Sequence, residues 1–243
     1  MIKIENVEVI GWKHAIRGMR NAMNSWEKSD SGLTCSQNKN NICDVNCTAD
    51  NYCEPLNKYL IGPNDHDLMM RLRNAGTDHR KFMRMIIVYM DITAPLYWWK
   101  EFDTYRVGVE KNSCSTMHKI ADKEFTFEDF SHEKLISSAC MEIQEQHIRI
   151  SPIQALATTI ECLNSYRDLY LRTKDKKYWW QMIQLLPSSY NQRRTIFLNY
   201  EVLANIYKSR KGHRLDEWKT VLDWIETLPY SELITGKTEN AEG

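Results

Sequence analysis

The stretch Trp98-Trp-Lys-Glu-Phe-Asp-Thr-Tyr-Arg-Val-Gly-Val-Glu-Lys-Asn-Ser-Cys-Ser-Thr-Met-His-Lys119 concentrates the residue types that handle planar, anionic molecules. Its aromatic rings can stack on a base. Arg106 and Lys111 supply positive charge, and the hydroxyl-rich turn of Asn112, Ser113, Ser115 and Thr116 can donate hydrogen bonds to a phosphate. The competing reading is an aromatic core helix followed by a capped polar turn, because aromatics at helical spacing are usually core. Cys114 within the turn invites a thiolate-attack scheme, although a lone cysteine is more often a small buried filler. A second group, Cys35, Cys43, Cys47 and Cys53, falls within nineteen residues of a mostly polar insert. Four thiolates can hold Zn²⁺ tetrahedrally and so order a segment that lacks a core of its own, with unligated thiols as the other reading.

These groups must be positioned by 243 residues, enough for one large domain or two small ones. The 32 Lys+Arg balance 32 Asp+Glu, which argues against the nucleic-acid backbone as main partner. The nine glycines are never spaced as G-x-G-x-x-G or a P-loop, so a bound nucleotide is not held in a glycine-rich cradle. The longest apolar run, Met85–Met90, stops at Asp91, far short of the roughly 20 residues of a membrane helix. The opening MIKIENVEVI alternates like a strand and lacks the pattern of a signal peptide. A cytoplasmic protein with reduced thiols is therefore expected.

Apolar residues at Trp12, Ala15, Ile16, Met19, Ala22, Met23 and Trp26 predict a helix after that strand. Residues 27–54 read as an irregular insert. Gly62 to Asp65 open a helix that runs to Asn74 and stops at Gly76. A strand over 85–93 leads into a short helix, LYWWKEF, whose first turn tolerates Pro95. Beyond Phe127 the pattern predicts helices at 127–147, 152–171, 174–185, 190–210 and 214–227. With no repeat and no flexible linker, a single domain over 1–235 is expected, with a Cys-rich insert at about 30–56 and a frayed tail at 236–243.

The Trp98–Lys119 segment resembles the signature region of the flavin-dependent thymidylate synthases, Arg-His-Arg, a short gap, then Asn-Glu-x-Ser-x-Arg. Arg106, Asn112 and Ser115 match it; Thr104, Tyr105, Ser113 and Met117 differ, and the gap is one residue longer. A second segment is similar to the family's C-terminal pattern. Leu186-Pro187, Asn199, Asn205, Arg210, His213 and Glu217 occupy its places. Asp78-His79-Arg80 after Gly76, and Ile16-Arg17-x-x-Arg20, look like earlier flavin-facing segments, more loosely. The likeness covers about residues 10–225 apart from the cysteine insert.

The resemblance implies an α/β fold of the α+β type, with a small central, mostly antiparallel sheet flanked by helices and a helix-rich C-terminal half. It implies a homotetramer that reductively methylates dUMP to dTMP using FAD, NADPH and methylenetetrahydrofolate. On this likeness Arg210 is catalytic: it lies against the uracil and favours its N3-ionised form, as a fixed guanidinium can. Arg106, Asn199, Asn205 and His79 match flavin-contacting positions, and Ser115 and Asn112, with Arg210, match the substrate side. Met117 in place of the last arginine removes a phosphate-binding charge that Lys111, His118 or Lys119 would have to restore. The alternative is a nucleotide-binding homologue without this activity. Read from residues alone, Asn199 is equally a helix cap and Arg210 equally a surface ion-pair member.

Overall fold

The structure, a computed structural model, describes residues 2–35, 55–137 and 150–237. The chain runs β1 (Lys3–Ile10), α1 (Trp12–Arg20), β2 (Gly32–Cys35), β3 (Pro55–Leu60), α2 (Pro63–Asn74), a 3₁₀ turn at Arg80–Met85, β4 (Ile87–Pro95) and α3 (Leu96–Phe102). It continues through β5 (Val109–Ser113), α4 (Thr116–Lys119), α5 (Pro152–Thr173), α6 (Lys176–Leu185), β6 (Asn191–Asn199), α7 (Tyr200–Arg210), α8 (Glu217–Glu226) and α9 (Glu232–Thr235). Four strands form a small antiparallel sheet in the order β1-β4-β6-β5, and β2 pairs with β3 as a separate antiparallel hairpin. The expected fold class is the one observed.

Cα packing divides the chain into two compact units: Met1–Asn6, Met90–Arg106 and Lys111–Ile196 in the first; Val7–Tyr89, Val107–Glu110 and Phe197–Gly243 in the second. In the first unit, α3 begins at Leu96 with Pro95 as its extended cap and buries Trp98, Trp99 and Phe102. Their rings lie 5.0–5.5 Å apart, in edge-to-face and stacked arrangements that add to the area they remove from water. α5 starts at a reciprocal cap: Gln154 N–H donates to the Ser151 hydroxyl, 3.2 Å, and Ser151 N–H donates to the Gln154 side chain, 2.9 Å. α5 and α6 pack into a hairpin around Leu156, Ile160, Leu163 and Met182, joined by Phe125 and Phe130.

The second unit is built on α1, α2 and α7. Trp12 and Ile16 of α1, Met69 of α2, Phe82, Met83 and Ile86 near the 3₁₀ turn, and Tyr200, Leu203 and Ile206 of α7 are buried together with Trp218 and Ile225 of α8. Gly11 makes the β1–α1 turn possible. It sits at φ +99°, and a Cβ there would lie 2.0 Å from the Met85 carbonyl oxygen, so every other residue is both strained and obstructed. A deeply buried ion pair holds this unit: Arg20 Nε donates to Asp65 at 2.6 Å, with Asp65 fully buried.

Several expected elements are corrected. Residues 190–210 are not one helix: 191–199 is the strand β6, and only 200–210 is helical. Ile196 and Leu198 are buried while Thr195 and Phe197 turn the other way, a period of two that merges with the helical period of α7 when both are read together. The helix expected at 127–147 is a three-residue 3₁₀ turn, Phe127–Asp129, followed by irregular chain to 137; Phe130 leaves it to bridge to Tyr190. The first helix ends at Arg20 and does not reach Trp26. The insert is entered and left through β2 and β3, which its polar composition did not announce. Residues 138–149, and 238–243 of the expected tail, lie outside the described residues.

Candidate functional site

The signature-like segment lies mostly in the first unit. Three of its four aromatic residues are core: Trp98, Trp99 and Phe102 are each 1% exposed or less and position the turn behind them, while Tyr105 is half-buried. That turn is organised by Asp103. Lys111 Nζ donates to it at 2.9 Å, and Arg194 Nη1 donates to both its oxygens at 2.9 and 3.2 Å. Burial raises the Asp103 carboxyl, but Lys111 and Arg194 outweigh this and hold it below its ordinary range. Arg194 also lies flat over Trp99, 4.2 Å from the ring centroid. Lys111 is thus committed to Asp103, and Lys119 pairs with Asp122 at 2.7 Å, so two of the three groups that could replace the motif arginine are engaged, and the exposed His118 is the third.

Arg106 follows this turn and is exposed; Asn112 is exposed on β5. Ser115 caps α4, accepting the His118 N–H at 3.3 Å, which leaves its own hydroxyl proton able to donate. Met117 and Cys114 are exposed.

The remaining candidates lie in the second unit. Asn199 is 7% exposed and caps α7: its carbonyl oxygen accepts the Val202 N–H at 3.0 Å. Its amide nitrogen lies against Gly108, where a Cβ would come within 2.7 Å. The capping reading therefore holds for its oxygen. Asn205, two turns along α7, is exposed and accepts from Arg80 Nη2 at 3.2 Å. Arg80 also meets Glu201 at 3.3 Å, and Arg84 donates to the same carboxylate. Burial raises Glu201, but Arg84 and Arg80 together bring it below the usual carboxylate value. His79 is exposed beside Arg80, its N–H held by the Gly76 carbonyl at 3.1 Å. One surface thus gathers Asn205, Arg80 and the turn carrying His79.

Arg210 ends α7 with its guanidinium 4.4 Å over the indole of the buried Trp218. His213 meets the same indole edge-on at 6.1 Å, and its Nδ1 accepts the Leu215 N–H. A guanidinium resting on a fixed ring is pre-oriented, which is what stabilising a developing anion requires. Reading the sequence missed Glu201, Asp103 and Arg194, because their partners lie far along the chain, and Trp218, because the turn between α7 and α8 that folds it under Arg210 carries no signal of that contact.

Of the four-cysteine group, Cys43, Cys47, Cys53 and the Cys35 side chain lie outside the described residues. Among the described residues no cluster of His, Cys, Asp or Glu could hold a metal ion, and no helix is long and apolar enough to cross a membrane.

This fold, a small antiparallel sheet in the order β1-β4-β6-β5 flanked by helices, is similar to that of solved flavin-dependent thymidylate synthases. The ThyX enzyme of Helicobacter pylori, crystallised with FAD and dUMP, superposes with a TM-score of 0.60 over 97% of each chain at 14% identity. A second structure of the Helicobacter pylori enzyme with FAD and dUMP gives 0.57 over 95% of this chain and 97% of that one, at 15% identity. The UMP/dUMP methylase PolB of Streptomyces cacaoi gives 0.48 over 85% and 76%, at 12% identity. No protein-family model and no curated protein matches the chain in sequence.

Proposed function

We propose that this chain is a flavoenzyme that modifies a pyrimidine deoxynucleotide, by reductive methylation of dUMP to dTMP or a closely related reaction, and that 1–235 act as one functional domain. The observation that carries this reading is the likeness over 97% of both chains to an enzyme crystallised with FAD and dUMP. Arg106, Asn112, Ser115, Asn199, Asn205 and Arg210 match the family pattern and support it.

The residues present fit a flavin dinucleotide. Beside Asn205, Arg80 and Arg84 pair with the Glu201 carboxylate, the Asp78 charge acts on Arg84, and Arg73, hydrogen-bonded to the Leu233 and Ile234 carbonyls, adds its charge near Arg80, three charges against two. One net positive charge with exposed donors suits an anionic pyrophosphate. When bound, FAD supplies the hydride; NADPH and methylenetetrahydrofolate serve as co-substrates. The chain's own part is to orient and polarise. Arg210, held over Trp218, stabilises negative charge on the pyrimidine; Ser115 and Asn112 serve the substrate, with Ser115 donating to its phosphate, and Arg106, Asn199, Asn205 and His79 serve the flavin. We further propose a cytoplasmic homotetramer with structural zinc on Cys35, Cys43, Cys47 and Cys53. Protein purified without a chelating tag then carries one zinc per chain, and less would remove the metal from the proposal.

A second reading, a nucleotide-binding homologue without turnover, is favoured by one observation. Met117 and Ser113 replace charged motif residues, while Lys111 and Lys119 are tied to Asp103 and Asp122. An absorption spectrum decides between them. The enzyme reading predicts a yellow protein whose flavin is bleached by NADPH under anaerobic conditions, with a response to dUMP. Protein that stays colourless after incubation with FAD, yet binds dUMP, supports the second.

A further inference from the structure

A cavity of about 870 Å³ in the second unit is lined by none of the candidate site residues named above. Its wall is the end of β1, the first turn of α1, the end of β3 and the Pro229-Tyr230 corner. That volume is typical of sites for small organic molecules. Most of the lining is apolar, with Trp12, Leu60 and Tyr230 as its larger members, and it contains no Asp or Glu. Its charge is basic: Lys13 stands in the lining beside the imidazole of His14. Lys13 and His14 are exposed at the rim, and among the described residues neither makes an ion pair or a hydrogen bond. They stand in the first turn of α1, which holds no acidic residue and where a cation gains nothing from the helix dipole.

The walls are rigid. Tyr230 occupies the left-handed region at φ +52°, costly for an aromatic residue, and is held there by the Ile61 N–H on its hydroxyl, 2.9 Å, and by edge contact with Trp12 at 5.2 Å. Tyr59 faces in from the hairpin that carries the cysteine insert, the part of the chain outside the family resemblance. Burial, with the Asp65 charge, pushes its phenol up, so it remains a hydrogen-bond donor at neutral pH.

We infer that this groove binds a small planar, largely apolar molecule carrying one anionic group, with its ring against Trp12, Leu60 and Tyr230 and its anion at Lys13 and His14. The inference does not depend on flavin chemistry.

The test is fluorescence titration of the full chain with 8-anilino-1-naphthalenesulfonate, a ring-bearing anion. One saturable site per chain is expected. The double change Lys13→Glu and His14→Glu should weaken it about tenfold or more, the scale of losing a charge-assisted contact. Thermal melting should be unchanged, because both side chains are exposed; Lys13→Gln with His14→Gln, which removes charge without adding any, should give a smaller loss. Unchanged affinity in both variants would overturn the inference, as would binding that does not saturate. Displacement of the probe by stoichiometric dUMP would also overturn it, since the groove would then be the substrate site proposed above. Loss of flavin reduction in the wild-type chain with probe binding intact would sink the proposed function alone.

Discussion

Asp65→Ala is expected to cost about 3–5 kcal/mol of folding stability, the usual effect of removing one partner of a buried ion pair. Side chains of Arg20 and Asp65 are 5% and 0% exposed, and the carboxylate gathers four donors: Arg20 Nε, the hydroxyls of Ser29 and Ser31, each at 2.6 Å, and the Asp30 N–H at 3.1 Å. Alanine leaves a guanidinium without a counter-charge and strands those donors. Against a total of about 5–15 kcal/mol this is a large fraction, readable in a denaturant titration. The effect depends on pH. Burial raises the Asp65 carboxyl, but Ser29, Ser31 and Arg20 outweigh it, so the folded value lies below the unfolded one. The stabilisation is complete above the unfolded carboxylate value, about 4, and is lost as pH falls through the lower folded value. The gap between wild type and variant should therefore be widest near neutrality and narrow below about pH 4. A gap that stays constant on acidification would show that charge is not its source.

Arg210→Ala is expected to lower kcat/KM by about 10²–10³-fold, the range seen when one donor to a developing anion is removed. Its fold should survive, since Arg210 is only half-buried at the end of α7 and its contact with Trp218, one of its interactions, is worth about 0.5–2 kcal/mol. Arg210→Lys keeps the charge but not the planar fork that rests on the indole, so it should recover only part of the rate. Steady-state turnover of dUMP with NADPH and methylenetetrahydrofolate, beside a thermal melt, separates the two effects. Full activity in the alanine variant would take Arg210 out of the reaction.

Where the chain itself holds the physical cause of an element, the element is legible. Pro95 cannot stand inside a helix but suits its start, so α3 opens after it; Ser151-Pro152 with Gln154 carries its own cap, so α5 opens there. Gly76 marks the end of α2 because its positive φ suits a stop. β6 was not legible, because its two-residue alternation runs without a break into the apolar face of α7, and only pairing with neighbouring strands selects the extended form.

The same division holds at the site. Residue types and motif spacing pointed to Arg106, Asn112, Ser115, Asn199, Asn205 and Arg210. What each can do was decided by partners far along the chain: Arg194 reaches Asp103 across 91 residues, and Arg80 and Arg84 reach Glu201 across 121 and 117. Those pairings commit Lys111 while leaving Arg106 exposed, and the packing of Trp218 sets the plane of Arg210. The sequence by itself determined the local starts and stops and the chemical repertoire, because these depend on backbone and side-chain properties within a few residues. The tertiary structure alone decided which charges are spent on one another, because that depends on which surfaces the buried core brings within hydrogen-bond reach.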